Sequence, residues 1–160
     1  MAQAAMFSAN QMIDIAIQTE QAGRAFYEAA VQHSDEAQVK SLCQWLADEE
    51  LVHEQTFRQM GQNLPPEIEP KEFPAERAEF IDALLGSRFM PKPEQAQALV
   101  EGMSAQDILD FALNFEKDTI VFLYEMRDMV PASAVDQVNE IIAEEKAHVS
   151  RIMKAQAALK

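Results

Sequence analysis

Two short runs of this chain place a carboxylate and an imidazole three residues apart: Glu50-Leu51-Val52-His53 and Glu145-Lys146-Ala147-His148. On a helix that spacing puts both side chains on one face, able to close on a common cation. Each pair interrupts an apolar stripe, the first between Leu46 and Phe57, the second between Ile141 and Ile152, where an unpaired charge is expensive to bury. Two further glutamates share that position, Glu20 between Ile17 and Tyr27 and Glu116 between Ala112 and Ile120. The intervals match as well. Glu20 to Glu50 is 30 residues and Glu116 to Glu145 is 29, so one design, Glu on a first helix and Glu-x-x-His on a second, occurs twice. Four Glu and two His are the known ligand set of dinuclear carboxylate centres in helical bundles. Four carboxylates contribute −4 and two divalent ions +4, a balance that makes burial tolerable. Hard oxygen donors with imidazole suit iron or manganese, iron being the better match to oxidation chemistry, and ligand type alone leaves zinc open.

Four long helices are needed to position these six groups. Apolar residues recur at helical spacing from Ser8 to His33, with Ser8 or Asn10 as cap, and from Ser34 and Asp35 to Gly61, with Pro65 and Pro66 as the stop. A third stripe starts at a capping-box pattern, Ser104 with Asp107, and runs to about Met129. After Pro131, Ser133 with Asp136 repeats the pattern and a fourth stripe continues to near the C-terminus. Very short turns join helix one to two and three to four, so each pair is an antiparallel hairpin. The 61–103 connection is longer than a bundle usually needs, which fits one long crossover running the length of the bundle. Within it Ala75 to Arg88 and Pro93 to Glu101 read as short helices. The expectation is an all-α, ferritin-like four-helix bundle forming a single domain over 1–160.

Composition narrows the function classes. Lys+Arg 13 against Asp+Glu 27 gives a net charge of −14, a field that repels phosphate backbones and anionic lipid headgroups, so neither nucleic acid nor a membrane surface is an expected partner. No apolar run approaches a membrane span, and Met1 to Met12 lacks the basic and apolar regions of a signal peptide, so the expected location is cytoplasmic. The single Cys43 makes no internal disulfide and no Cys-x-x-Cys metal site. Several residues have plain readings: His33 as a surface or capping group, Glu49, Glu54 and Glu144 as a solvated face, the Met residues and Trp45 as core or interface material. Gly23 and Ala16 leave room either for small molecules or for close helix packing. Tyr27 and Tyr124, seven and eight residues after Glu20 and Glu116, could reach the pocket as hydrogen-bond or electron donors, or simply fill the core.

The pattern across all four helices resembles the rubrerythrin family of the ferritin-like superfamily, through Glu20 with Tyr27, Glu50-x-x-His53, Glu116 with Tyr124, and Glu145-x-x-His148. Phe115-Glu116-Lys117-Asp118 is similar to members without a rubredoxin domain. The resemblance implies two non-haem iron ions, reduction of hydrogen peroxide or dioxygen, an external electron donor such as rubredoxin, and a homodimer. On that resemblance Glu50 and Glu145 would bridge or chelate across the two irons, Glu20 and Glu116 would be terminal carboxylates, and His53 and His148 would give one imidazole per iron. One departure is Thr119, where the family pattern has a further Glu, so the ligand exchange tied to that carboxylate does not carry over and a more symmetric centre is expected. Two other functions fit the same residues: a ferroxidase that handles iron, and a non-enzymatic bundle whose polar core fixes helix register.

Overall fold

The structure, a computed structural model, describes residues 6–65, 71–72, 74–87 and 91–159. Four long helices dominate: α1 (Ala9–His33), α2 (Ala37–Asn63), α5 (Ala105–Arg127) and α6 (Ala132–Ala158). Between the hairpins lie α3 (Ala75–Ser87), a 3-10 turn at Pro93–Gln95 and α4 (Ala96–Val100). The one extended pairing among the described residues is a two-residue antiparallel ladder, β1 (Met6–Phe7) on β2 (Lys71–Glu72).

Local chemistry sets the helix starts, with two differences from the sequence reading. Ser8 and Ser104 each close a reciprocal capping box, with Gln11 and Asp107. In α2 the N-cap position falls to Glu36 without a side-chain cap, and Ser34 Oγ instead accepts the Glu36 N–H at 3.3 Å. In α6 Ser133 lies inside the first turn, because Pro131 already sits at the cap with the extended backbone that starts the helix. Arg88, expected to end α3, lies outside the described residues.

Each long helix passes from one apolar cluster to another. Met12, Ile13 and Ala16 of α1 join Phe57 and Met60 of α2, Phe122 and Leu123 of α5, and Ile141 and Ile142 of α6. The second cluster gathers Phe26 and Tyr27, Cys43 and Leu46, Leu109 and Ala112, and Ile152 from the same four helices. Between the clusters, on every helix, lie the candidate ligands. The chain order of the clusters makes α1 antiparallel to α2 and α5 antiparallel to α6. It also leaves the end of α2 and the start of α5 at opposite ends of the bundle. The crossover spans that length: Ile81 of α3 packs into the first cluster, and Ala96 and Val100 of α4 into the second.

Polar ties hold the crossover down. Arg77 of α3 donates to Glu125 of α5 and to Asp128 at its C-cap, both at 2.8 Å. His33, read from sequence as a surface or capping group, is half-buried and sets Nε2 3.1 Å from the Met103 carbonyl, which pins the end of α1 to the end of the crossover. No helix of the described residues is long and apolar enough to cross a membrane.

Cys43 is fully buried in the second cluster, and burial pushes its thiol up to about 12. Alkylation by iodoacetamide at neutral pH is therefore expected to be absent from the native protein and stoichiometric after denaturation. Mass spectrometry of the two samples checks this.

Candidate metal centre

The layer between the two clusters holds Glu20, Glu50, His53, Glu116, Glu145 and His148, each at most 1% exposed. All six groups singled out by spacing converge, and they sort into two overlapping sets. Glu20, Glu50, His53 and Glu145 bring one ligand atom each to within 4.8 Å of one another, and so do Glu50, Glu116, Glu145 and His148. Glu50 and Glu145 belong to both sets, so two cations held there would share the Glu-x-x-His carboxylates and would each have one imidazole.

The distances follow an approximate twofold. Glu145 sets Oε1 3.0 Å from His53 Nδ1 and Oε2 2.9 Å from His148 Nδ1. Glu20 Oε2 lies 3.7 Å from His53 Nδ1 and Glu116 Oε1 3.8 Å from His148 Nδ1. The imidazole rings are 5.4 Å apart and nearly parallel, at 19°. Both oxygens of Glu20 and of Glu145, Glu50 Oε1, Glu116 Oε2 and the Nδ1 atoms of both histidines are buried without a hydrogen-bond partner. So many orphaned polar atoms facing one small volume are not tolerated in a core unless something of opposite charge fills it. The donor set of carboxylate oxygen and imidazole nitrogen fits a pair of divalent ions.

Without metal, protons must take over that neutralisation. Burial pulls both imidazoles down, but the adjoining carboxylates outweigh it, raising His53 to about 11 through Glu145 and Glu20 and His148 to about 10 through Glu116 and Glu145. Burial and then the Glu145 charge push Glu116 up to about 8. Burial, followed by Glu20 and Glu116, holds Glu50 well above the usual carboxylate range. Burial also acts on Glu145, yet the two flanking imidazoles keep it far below that range.

Residues around the six orient them. His53 Nε2–H donates to Glu144 Oε2 at 2.9 Å, which fixes the tautomer that leaves Nδ1 free for a cation. Symmetrically, Glu49 Oε2 stands 3.9 Å from His148 Nε2. The sequence reading put both glutamates on a solvated face. They are indeed partly exposed, at 53% for the Glu144 side chain and 33% for Glu49, but their tips reach the histidine of the opposite hairpin. The signal was present: each hairpin reads Glu-Glu-x-x-His, with the extra Glu in the same place. Glu54, also assigned to solvent, is buried and accepts from Gln21 Nε2 at 2.9 Å and from Arg58 at 2.7 Å, which neutralises it between α1 and α2.

The two tyrosines part company. Tyr27 is fully buried and its hydroxyl donates to Glu116 Oε1 in a short hydrogen bond; burial and the Glu116 charge hold its pKa well above the ordinary phenol value. Tyr124, expected near the pocket, is half-buried elsewhere: its hydroxyl accepts from Lys146 Nζ at 2.7 Å and its ring lies under Arg127 at 4.9 Å. An eight-residue step from Glu116 rotates it off the inner face. Gly23 serves close packing and leaves no open room. A Cβ there would fall 2.7 Å from Phe115 Cε1 and 3.3 Å from Glu50 Oε2, so the missing side chain admits the Phe115 ring against the layer. Thr119 is buried one turn after Glu116, with its hydroxyl donating to the Phe115 carbonyl at 3.0 Å.

A family model described as Rubrerythrin matches residues 11–156. A crystal structure from Thermotoga maritima, described as that of a ferritin-like diiron-carboxylate protein, superposes with a TM-score of 0.79 at 22% identity, covering 99% of this chain and 100% of that one. That likeness establishes the fold. No curated protein matches the sequence.

Two outcomes follow from the shared carboxylates and from the protons that the same groups would carry when no metal is bound. Glu145→Ala removes a donor from both sets and is expected to abolish stoichiometric metal uptake, whereas Glu20→Ala, which touches one set, leaves about one ion per chain bound; metal analysis after desalting distinguishes them. Loading the empty protein must expel the protons held by His53, His148, Glu50 and Glu116. Divalent-ion uptake in weakly buffered solution is thus expected to acidify it, with apparent affinity rising from about pH 6 to about pH 8. Affinity that is flat or falls with pH would contradict this protonation pattern.

Proposed function

Because the chain belongs to the rubrerythrin family, we propose that it is a non-haem di-iron oxidoreductase that reduces hydrogen peroxide to water with electrons from an external carrier. The observation that carries the reading is the buried layer of four glutamates and two histidines with its orphaned ligand atoms. When bound, the metal pair supplies two electrons, one from each ion. Iron is favoured over zinc because reducing peroxide with electrons held at the centre needs a redox-active ion, and over manganese on the oxidation chemistry that the family carries.

The surrounding residues supply what the metals do not. Converting one peroxide to two waters consumes two electrons and two protons. Tyr27 stays a protonated phenol at neutral pH, held by burial and by Glu116, and its hydroxyl already points at a carboxylate of the centre. That makes it the proton donor placed for O–O cleavage. Phe115, seated in the gap left by Gly23, and the fully buried Tyr27 keep bulk water away, so of these side chains the Tyr27 hydroxyl is the one that can deliver a proton. Glu144 holds the outer edge of the His53 imidazole in place by its hydrogen bond as charge at the centre changes, and Glu49 adds a nearby negative charge for His148. With one buried cysteine, these 160 residues carry no thiolate iron centre, and the electrons come from outside them.

Ferroxidase activity is the second reading, favoured by the net charge of −14, which concentrates cations at the surface. One experiment separates the two. Iron-loaded protein is reduced without air and mixed rapidly with peroxide or with dioxygen. Peroxide is expected to oxidise the centre faster, at one peroxide per two irons with the iron retained, and Tyr27→Phe is expected to slow the step by about one to two orders of magnitude at unchanged iron content. Faster oxidation by dioxygen, with iron passing to a chelator, would instead identify a ferroxidase.

A further inference from the structure

The centre is sealed, yet the proposed reaction needs electrons from a carrier too large to approach it. Trp45 of α2, assigned from sequence to core or interface material, has an arrangement that core packing does not require. The indole is half-buried. It stands perpendicular to the His148 ring at 83°, with centroids 5.1 Å apart, and its face is covered by the guanidinium of the exposed Arg151 at 3.9 Å. One π system therefore touches an imidazole of the metal layer on one side and a solvent-facing cation on the other. It is the sole tryptophan of the chain.

Other aromatic groups near the layer serve this purpose less well. Tyr27 is engaged with Glu116 and fully buried. Beyond it stand Phe26, at 5.5 Å, and Phe111, at 4.3 Å from Phe26, a longer line of rings that are hard to oxidise or reduce. Tyr124 is held by Lys146 and Arg127.

The guanidinium that covers the indole belongs to an exposed strip of α6, Arg151 and, one helical turn on, Lys154, so this side of the centre can be reached from solvent.

We propose that Trp45 is the electron port of the centre, entered from the Arg151 side of α6. This inference rests on the function proposed above and names the route by which electrons reach that same site. One electron leaves the carrier, passes through the indole and His148, and reduces one oxidised metal ion; two such transfers restore the pair after each peroxide. A cation stacked on the ring disfavours a positively charged indole, so the ring acts as a bridge between carrier and centre and is not itself oxidised by the centre.

The test uses the iron-loaded, oxidised protein. A ruthenium photoreductant is attached to a cysteine placed at Lys154, one helical turn from Arg151; the buried Cys43 does not compete for the label. The flash-driven rate of iron reduction is then read with Trp45 intact, in Trp45→Phe and in Trp45→Leu. Leu is expected to slow injection on the order of tenfold and Phe less, because removing the π bridge leaves a wider gap in the path. The same label on a cysteine at Val121, on the exposed side of α5, is expected to inject at a rate indifferent to Trp45. Independently, loading iron is expected to quench the single tryptophan's fluorescence. Unchanged injection from position 154 in Trp45→Leu, with two irons bound, overturns the port while leaving the centre intact. Equal slowing from both label positions overturns it too, by showing a general disturbance. If the unsubstituted protein takes up no iron, the centre itself falls and the port with it.

Discussion

Four carboxylates and two imidazoles occupy the middle of an apolar bundle, and every other feature of the structure answers to the need to neutralise them. When no metal is bound, protons would do this: the carboxylates favour the cationic form of both imidazoles, burial and like charge drive Glu50 and Glu116 toward their neutral forms, and the two rings favour the ionised form of Glu145. A pair of divalent ions does it better, because ions also satisfy the ligand atoms that protons leave without partners. The apolar clusters above and below the layer make this balance obligatory by excluding the water that would otherwise screen it.

The long crossover serves the same layer. A short α2–α5 connection would place α5 parallel to α1 and reverse the order of its side chains along the bundle. Carrying the chain the full length instead makes both cross-hairpin pairs, α1 with α5 and α2 with α6, antiparallel. Glu20 then faces Glu116 and His53 faces His148 at one height. Short helices that pack into each cluster in turn and ion pairs such as Arg77 with Glu125 make the crossover a strap that fixes this register.

The six inner groups, the four helices and the crossover were legible because they obey one period. A residue buried on a helix must fall on its stripe, and a charged residue on the stripe needs a partner, so Glu20, Glu50, His53, Glu116, Glu145 and His148 declared themselves by position. What failed were groups whose role depends on another helix. Glu144 and Glu49 sit one residue off the stripe, which on α6 or α2 alone means solvent; only the approach of the opposite hairpin turns them into acceptors for His53 and neighbours of His148. Glu54 is buried by Gln21 of α1 and Arg58, a pairing that no period encodes. Tyr124 failed for the opposite reason. Its spacing from Glu116 was taken as nearness, although eight residues carry it past the inner face to Lys146.

The approximate twofold of the ligands is broken around them, and the breaks have a pattern. On the α1–α5 side Gly23 occupies the place after Glu20 that Thr119 occupies after Glu116, and the space Gly23 leaves is taken by Phe115. Tyr27 donates to Glu116 with no counterpart donating to Glu20 among the described residues. This side offers a hydroxyl and a carboxylate, the groups that move protons. On the α2–α6 side the imidazole edges face outward to Glu144 and Glu49, and Trp45 links His148 to the surface. This side offers conjugated rings, the groups that pass electrons. A reaction that consumes both at one dinuclear site gains from bringing them in through different walls. In the reaction proposed here the proton donor would stay dry and fixed beside the carboxylates, while electrons would enter through the opposite wall without opening the centre to water.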